Sequence, residues 1–241
     1  MSKEDPFLSI IVPLYNESDR LDSLSAIVQY LENQPFTSQL IVVNDGSTDD
    51  TLAKLRIASP RPNWHVVGYD QNRGKGYAVR RGMLVAKGKY RLFTDIDLST
   101  PLAELSKFLP HLENYDIVIG SRRKRGARLL RRQSKIRETL GHGFTLLSRL
   151  MLQLTISDVT CGFKCFSESA ASNIFPRLTI DRWGFDSEIF YIAKKRGLSV
   201  KEIPVVWKND PKTKVRFPHD LLNSLMDLIR IRFNDVKKIY D

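Results

Sequence analysis

Short apolar runs alternate with segments of helical periodicity through the first half of the chain. The apolar runs predict strands at residues 8–12, 40–43, 66–67, 90–93 and 117–119. Apolar residues spaced three and four apart predict helices near residues 21–31, 75–86 and 102–112. Uninterrupted apolar strands that alternate with helices are typical of a mostly parallel sheet covered on both faces. We therefore expect an α/β fold.

The pattern changes after residue 121. Residues 122–137 form a basic, glycine-containing stretch without a strand signal, and a long helix is predicted at residues 135–155. A helix at 185–196, a strand at 200–207 and a basic amphipathic helix at 220–239 are predicted to follow. No linker is long enough to separate two domains, so we expect a single domain.

An excess of positive charge narrows the choice of partners. The chain has 38 Lys and Arg against 27 Asp and Glu, a formal net charge of +11. Such a surplus suits nucleic acid, acidic lipid or a phosphorylated substrate. No nucleic-acid module is recognisable, and no aromatic residue interleaves the basic residues of 122–137. We therefore expect no nucleic-acid partner.

The number of cysteines and the length of the apolar runs indicate the cellular compartment of the protein. Cys161 and Cys165 cannot build a disulfide framework, and no second Cys or His pair stands at zinc spacing, so we expect free thiols in a reducing cytosol. No run reaches the roughly 18 apolar residues of a spanning helix. Residues 1–6 are acidic and poor in apolar side chains, unlike a signal peptide. We expect a cytoplasmic protein that does not cross a membrane by itself.

Acidic and small residues follow the predicted strands. They are Asn16, Glu17, Asp45, Gly46, Asp95, Asp97, Gly120, Ser121 and Arg122. In open parallel sheets, ligands bind at the carboxyl ends of the strands. These residues therefore predict one site at one edge of the sheet.

Of the residues at this edge, Asp95 and Asp97 indicate a chemical role most specifically. In extended backbone, residues i and i+2 point to the same side, so both carboxylates can converge on one cation. Hard oxygen ligands suit Mg²⁺ or Mn²⁺, and a diphosphate would supply further oxygens. The alternative is a strand-to-helix turn with aspartates at capping positions. The apolar strand before the pair, in register with Asp45, favours the metal site.

Residues 72–76 open a predicted helix. Gly74 and Gly76 would let the backbone approach a diphosphate at the helix N-terminus. The segment fits neither the P-loop nor the dinucleotide-binding pattern, so an ordinary turn explains it equally well. A nucleotidyltransferase is a further alternative, but it would need a Gly-rich loop after the first strand, where residues 13–17 stand instead.

Five segments resemble glycosyltransferase family 2 in order and approximate spacing. They are residues 11–17 (IVPLYNE), 43–51 (VNDGSTDDT), 72–76 (NRGKG), 94–97 (TDID) and 120–122 (GSR). Residues 158–164 (DVTCGFK) and 183–188 (WGFDSE) resemble the branch that transfers sugar to polyprenyl phosphates, its glucosyl-transferring members above all. The resemblance extends from Leu8 to about Phe233.

The resemblance implies a Rossmann-like α/β fold of the GT-A type, with a mostly parallel sheet flanked by helices and with C-terminal amphipathic helices. It implies a metal-dependent, inverting hexosyltransferase that uses Mg²⁺ or Mn²⁺ and a nucleotide sugar, UDP-glucose in this branch. Within a single domain over residues 1–241, residues 7–122 would bind the nucleotide sugar. Residues 123–241 would form the acceptor side and the C-terminal helix.

The resemblance also assigns roles to individual residues. The nucleotide-sugar-binding residues would be Pro13, Tyr15, Glu17, Asp45, Lys75 and Asp95, and the metal ligands Asp95 and Asp97. The catalytic residues would be Asp97, Arg122, Lys164 and Asp186, with Arg122 and Lys164 near phosphates of the donor or acceptor. Mannosyl-transferring relatives usually carry a further metal-binding Gln where Ser99 stands here, which favours the glucosyl branch and leaves the metal shell open.

Residues 117–137 contain nine basic residues and no acidic one. A solvated loop is one interpretation. The run, however, follows a strand end beside the donor site and precedes a helix with an apolar face, which suits a membrane interface. We expect Arg122, Arg132 and Arg137 to hold the phosphate of a polyprenyl phosphate at an anionic membrane surface, with the enzyme peripheral to the membrane. The C-terminal helix could assist or simply pack in the core, and a membrane-protein partner is left open.

The acceptor decides the chemistry. A phosphomonoester has a second pKa of about 6, so at neutral pH it is largely a dianion that can attack without a general base. The alternative is a family 2 transferase with a glycan or other hydroxyl acceptor, for which Asp186 or Glu188 would be the general base. Both acids could instead be favourable charges at a helix N-terminus.

Overall fold

The computed structural model describes residues 5–58, 63–212 and 219–241. The strands are β1 (Leu8–Leu14), β2 (Ser38–Asp45), β3 (Trp64–Tyr69), β4 (Tyr90–Thr94), β5 (Ile117–Ser121), β6 (Arg128–Arg131), β7 (Phe163–Ser167), β8 (Val200–Pro204) and β9 (Val206–Lys208). The helices are α1 (Asp22–Glu32), α2 (Thr51–Ala58), α3 (Lys75–Val85), α4 (Lys135–Leu152), α5 (Glu168–Ile174), α6 (Phe185–Lys195) and α7 (His219–Val236).

Seven strands form one sheet in the order β3-β2-β1-β4-β7-β5-β8. β7 runs antiparallel to both of its neighbours, and the other pairs are parallel. The prediction of an α/β fold with a mostly parallel, helix-flanked sheet is confirmed. This topology brings the carboxyl ends of β2, β1, β4 and β5 to one edge, together with the amino end of β7.

The sheet separates two hydrophobic clusters. Ile11 belongs to the cluster that contains residues of α3 and α6, whereas Ile10 and Val12 belong to the cluster that contains residues of α1. Successive side chains of a strand point to opposite faces, so a strand covered on both sides must be apolar at every position. The largely apolar sequence of β1 follows from this requirement, and the hydroxyl of its buried Ser9 donates to Gln39 Oε1 (2.8 Å).

The helix predicted at residues 102–112 is replaced by two short 3₁₀ turns, Leu102–Lys107 and Leu109–His111. Pro110 explains the difference, because proline has no N–H to donate and its ring clashes within an α-helix. The apolar residues of the segment, Leu105 and Phe108 among them, are still buried against the sheet.

The expectation that residues 122–137 contain no strand is wrong. β6 pairs in parallel with β9 and forms a separate two-stranded sheet. The predicted strand at 200–207 therefore divides at Val205 into β8, which joins the main sheet, and β9, which pairs with β6. Backbone hydrogen bonds stabilise β6 although its side chains are mostly exposed and basic, so no apolar pattern revealed it.

The remaining differences concern helix ends and the termini. α4 ends at Leu152, where Gln153 adopts a left-handed conformation (φ 53°). Both cysteines are free and buried. The described residues include no helix that is long and apolar enough to cross a membrane. The expectation that residues 1–6 are not a signal peptide concerns residues that lie mostly outside the described part of the chain.

Gly82 tests how tightly α3 packs on the sheet. A methyl group at Gly82 would overlap the side chain of Ile11 and come within 3.0 Å of Val43 Cγ2, whereas one at Gly143 in α4 meets nothing within 4 Å. We expect Gly82→Ala to destabilise the protein by about 1–3 kcal/mol through overpacking. Gly143→Ala, the matched control, should stabilise it by about 0.5–1 kcal/mol through helix propensity. Urea unfolding measures both; equal effects would contradict the packing described.

Candidate active site

Residues predicted to bind the nucleotide sugar lie side by side at the carboxyl edge of the sheet. Pro13 is the second-last residue of β1, Tyr15 and Glu17 follow that strand, and Asp45 ends β2. Asp95 follows β4. Because β2, β1 and β4 are adjacent and parallel, the prediction of a common edge is confirmed.

The loop after β1 is tied to the loop after β2. Asn16, in a left-handed conformation (φ 52°), donates its backbone N–H to Ser47 Oγ (2.9 Å) and accepts from the Thr48 N–H (2.8 Å). Glu17 forms an ion pair with Arg20 (2.8 Å). These contacts fix the loop beside the donor edge. Base and ribose contacts of Pro13, Tyr15 and Glu17 stay predictions.

Asp45 holds the loop that precedes α3. Its carboxylate accepts hydrogen bonds from Asn72 Nδ2 (2.8 Å) and from the backbone N–H groups of Arg73 (2.7 Å) and Gly74 (2.9 Å). Burial raises the pKa of Asp45 despite these donors, which lower it. The carboxylate therefore positions the start of α3, and a direct contact with a nucleoside stays a prediction.

Gly74 and Gly76 have a packing role that the sequence did not predict. Gly74 has a φ of 109°, and a side chain there would meet Asp181 O at 2.7 Å; one at Gly76 would meet Ile180 O at 2.7 Å. The space on the Cβ side of both glycines is thus filled by the segment before α6. The glycines allow this close packing, and an approach of their backbone to a diphosphate stays a prediction.

Asp95 and Asp97 lie in a turn, not in extended backbone. β4 ends at Thr94, Leu98 donates its backbone N–H to Asp95 O (3.2 Å), and Ser99 donates to Asp97 Oδ1 (2.9 Å). The extended-strand argument for convergence is therefore wrong. Burial first, and then the charge of Asp95, raise the pKa of Asp97, so the two carboxylates are close enough to repel each other.

Lys75 balances part of this negative charge. Its Nζ lies 2.6 Å from Asp95 Oδ1. Burial alone would lower the pKa of Lys75, but Asp95, Asp186 and Asp97 outweigh it and raise the pKa. The charge of Arg20 also acts on Asp97. The described residues contain no group of three or more Asp, Glu, His or Cys that could hold a metal ion. Two hard oxygen donors fit Mg²⁺ or Mn²⁺ if a diphosphate completes the shell.

Gly162, just before β7, gives Asp95 its space. β7 pairs with β4 so that Phe163 lies opposite Thr94. A methyl group at Gly162 would overlap Asp95 Oδ2. The resemblance included this glycine in a motif but gave it no role, because its proximity to Asp95 depends on an antiparallel pairing that the sequence did not reveal.

Arg122 lies at the end of β5 and is bound by Asp158, a residue without a predicted role. Its Nε and Nη2 donate to the two carboxylate oxygens of Asp158 at 2.7 Å each, and its backbone N–H donates at 2.8 Å. Asp158 is fully buried. The guanidinium is thus held in one orientation, with Trp207 5.3 Å from its centre.

Lys164 is fully buried. Its Nζ donates to Asp186 Oδ1 (2.7 Å) and to Cys161 O (2.5 Å), between the rings of Phe93 and Phe190. Lys164 therefore holds Asp186 in position, and its place near a substrate phosphate stays a prediction.

Glu188 is excluded from the alternative role of general base. Its carboxylate is buried and accepts hydrogen bonds from Thr179 Oγ1 (2.6 Å), the Ile180 N–H (2.9 Å) and Tyr240 Oη (2.7 Å). These bonds tie α6 to the segment before it and to the C-terminus. Glu188 is a structural acid.

A cavity of about 620 Å³ unites residues from both halves of the chain. Its charged lining includes Lys75, Asp186, Arg122, Arg132 and Arg137, together with Glu138 and Asp220. Its apolar lining consists of Leu129, Leu140, Phe144, Trp183, Trp207 and Leu221. The three predicted phosphate-binding arginines thus come together beside a metal-site lysine and a largely apolar wall. Trp183 and Trp207 were missed as site residues.

Comparison with known proteins agrees with this geometry. The sequence profile described as Glycosyl transferase family 2 matches residues 9–175. The dolichyl-phosphate β-glucosyltransferase of Dictyostelium discoideum is 36% identical over 94% of this chain and 74% of its own length. The dolichyl-phosphate β-glucosyltransferases of Saccharomyces cerevisiae (31% identical, 98% of this chain, 77% of its own) and Homo sapiens (33%, 93%, 74%) are also similar.

Solved structures share the fold. Glucosyl-3-phosphoglycerate synthase from Mycobacterium tuberculosis, in complex with Mn²⁺, UDP-glucose and phosphoglyceric acid, matches with a TM-score of 0.67 and 19% identity, over 95% of this chain and 79% of its own. A mannosyltransferase from Pyrobaculum calidifontis, in complex with GDP-Man and Mn²⁺, matches with a TM-score of 0.59 and 19% identity, over 95% and 65%. These likenesses confirm the GT-A type of fold. From the profile match and the relatives above 30% identity, the chain belongs to glycosyltransferase family 2.

Proposed function

We propose that this transferase moves glucose from UDP-glucose to a polyprenyl phosphate, of the dolichyl phosphate type, with inversion at the anomeric carbon. The observation that carries the proposal is the cavity in which Arg122, Arg132 and Arg137 lie beside Lys75 and an apolar wall. A lipid phosphate needs cations for its head and apolar surface for its chain. Relatives named dolichyl-phosphate β-glucosyltransferase support the choice of sugar and lipid.

The donor would bind at the edge formed by β2, β1 and β4. Pro13, Tyr15, Glu17 and Asp45 surround the position proposed for the nucleoside. Asp95 and Asp97 would hold Mg²⁺ or Mn²⁺, which when bound neutralises charge on the diphosphate leaving group. The complexes of the Mycobacterium tuberculosis synthase with Mn²⁺ and UDP-glucose support this choice of cofactor and donor.

The reaction needs alignment more than proton transfer. One oxygen of the acceptor phosphate attacks the anomeric carbon while the bond from that carbon to the donor diphosphate breaks, and nucleoside diphosphate departs. At neutral pH the acceptor is largely a dianion, so no proton has to be removed. Arg122 orients the acceptor anion, and Lys75 stabilises charge that develops on the leaving group.

A hydroxyl acceptor is less consistent with the site. Such an acceptor would need a general base, and Asp186 is the remaining candidate now that Glu188 is excluded. Asp186 is held at 2.7 Å by the buried Lys164. One carboxylate oxygen of Asp186 is therefore already occupied by a buried ammonium group. The arginines beside it suit an anionic acceptor.

We also propose that the outer face of α7 lies on an anionic membrane surface. Leu222, Met226, Ile229, Phe233 and Val236 recur at intervals of four and three residues, and each is more than half exposed. The opposite face of α7 packs in the core through Leu228 and Ile231. The cavity reaches the first turns of α7 at Leu221, so a lipid held by this face could enter it.

The acceptor is tested with a panel of nucleotide sugars, each with Mg²⁺ or Mn²⁺ and either polyprenyl phosphate or the matched polyprenol. We expect radiolabel from UDP-glucose to enter the organic phase with the phosphate and not with the alcohol, because only the phosphate supplies a ready anion. Transfer to the polyprenol, or to a glycan but not to the lipid phosphate, would refute the proposal.

The metal site is tested by Asp97→Asn, which keeps the volume of the side chain but removes its charge. Turnover should fall by about 100-fold or more, since stabilisation of the leaving group is lost. Calorimetry should show that Mn²⁺ no longer strengthens UDP binding. The control is Glu113→Gln, an exposed acid (79%) before β5 at the opposite edge. Cation-assisted UDP binding that survives in Asp97→Asn would exclude this residue as a ligand.

The membrane face is tested by the double variant Met226→Glu, Phe233→Glu. Both side chains are largely exposed (64% and 57%), so the fold should tolerate the change. Sedimentation with vesicles that contain acidic phospholipid should show binding weakened by about tenfold or more, from the loss of two apolar side chains. Ile57→Glu, at an exposed apolar residue of α2 (82%), is the control. Wild-type binding by the double variant would rule out this face.

A further inference from the structure

Part of the Arg122 guanidinium is hydrogen-bonded to protein groups, and the side chain also lines the cavity. A guanidinium has five N–H donors. Asp158 takes the Nε donor and one Nη2 donor, and Thr160 Oγ1 accepts from Nη2 at 2.9 Å. In the described part of the chain Nη1 meets no protein acceptor, and Arg122 lines the cavity. The two N–H donors of Nη1 are thus the ones that remain for a charge-assisted hydrogen bond to an anion in the cavity.

Asp158 is itself firmly placed. Its backbone N–H donates to Glu202 Oε1 (3.1 Å), as does that of Ser157 (3.0 Å), and the Ser157 hydroxyl donates to the same oxygen at 2.6 Å. The Glu202 side chain is only 7% exposed. Glu202 on β8 thus anchors the segment that carries Asp158, without touching Arg122.

The Asp158 carboxylate is ionised at neutral pH. Burial alone would raise its pKa, but Arg122 outweighs burial and lowers the pKa of Asp158 to about 2. In the folded protein the ion pair therefore persists down to about pH 2, well below the pH at which an unperturbed Asp takes up its proton. A buried carboxylate with three bonds to one arginine can hold that arginine in a single rotamer.

We propose that Asp158 is a positioning residue for the acceptor: it fixes the guanidinium of Arg122 so that Nη1 points to the phosphate of the lipid substrate. This inference rests on the proposed function, in which Arg122 binds that phosphate. An arginine fixed in advance loses less freedom on binding than a mobile one, so the acceptor binds more tightly and in one orientation. Thr160, which accepts the remaining Nη2 donor, contributes to the same effect.

The test uses steady-state kinetics with UDP-glucose and polyprenyl phosphate on Asp158→Asn, Arg122→Gln and the double variant. Asp158→Asn should raise the acceptor KM by about tenfold or more, the effect of one charged hydrogen bond, with the donor KM unchanged. In the Arg122→Gln background the same change should add almost nothing, because Asp158 acts through Arg122. Calorimetry of UDP with Mn²⁺ should be unaltered.

Asp116→Asn is the control, since it removes the charge of a carboxylate that accepts hydrogen bonds from the Ser199 N–H (2.8 Å) and Oγ (2.7 Å) at the opposite edge of the sheet. It should lower the Tm without the rise in acceptor KM. If Asp158→Asn does not fold, Thr160→Val takes its place, with an expected rise in acceptor KM of a few fold and no change in charge. An unchanged acceptor KM in the folded variant, or equal rises with and without Arg122, would overturn the inference while wild-type transfer leaves the proposed function standing. Failure of the wild type to glycosylate any polyprenyl phosphate would overturn both.

Discussion

The site depends on the pairing of β7 between β4 and β5. This one antiparallel strand separates the donor carboxylates that follow β4 from the arginine that follows β5. Its register puts Gly162 against Asp95 and directs the buried Lys164 to Asp186. A parallel strand could not do this, because its amino end would lie at the far edge of the sheet. The separation of Asp95 and Asp97 from Arg122 is therefore set by backbone hydrogen bonds.

Ion pairs between fixed partners then orient the functional side chains. Lys75 pairs with Asp95, Lys164 with Asp186, and Arg122 with Asp158. The removal of such groups from water offsets much of their mutual attraction, so these pairs contribute little net stability. Their value lies in geometry. Each holds one charged group in a single position, where a substrate with two anionic centres can bind without reorganisation of the site.

Much of this site could be predicted from the sequence. The apolar runs located the strands, and the parallel topology then required that Asp45, Asp95 and Arg122 share an edge. The rest depended on contacts distant in sequence. β7 is short and carries Lys164 among apolar residues, so no periodicity revealed it, and the burial of that lysine followed from its pairing. Glu188 was a candidate general base because the sequence showed only its position near the start of a helix. Its hydrogen-bond partners Thr179 and Tyr240 belong to other segments.

The fold changes the interpretation of the basic stretch, residues 122–137, more than that of any other segment. The donor diphosphate and the acceptor phosphate are both anions, and they repel each other strongly in a cavity of low dielectric constant. In the proposed function, a cation held by Asp95 and Asp97 would compensate only the donor, so the acceptor would need positive charge of its own. Arg122, Arg132 and Arg137 would supply it from three places in the chain: a strand end, the segment after β6 and the first turn of α4. The folding of β6 against β9 brings these places together, and a run of charge that could have been a solvated loop thereby forms one wall of the cavity.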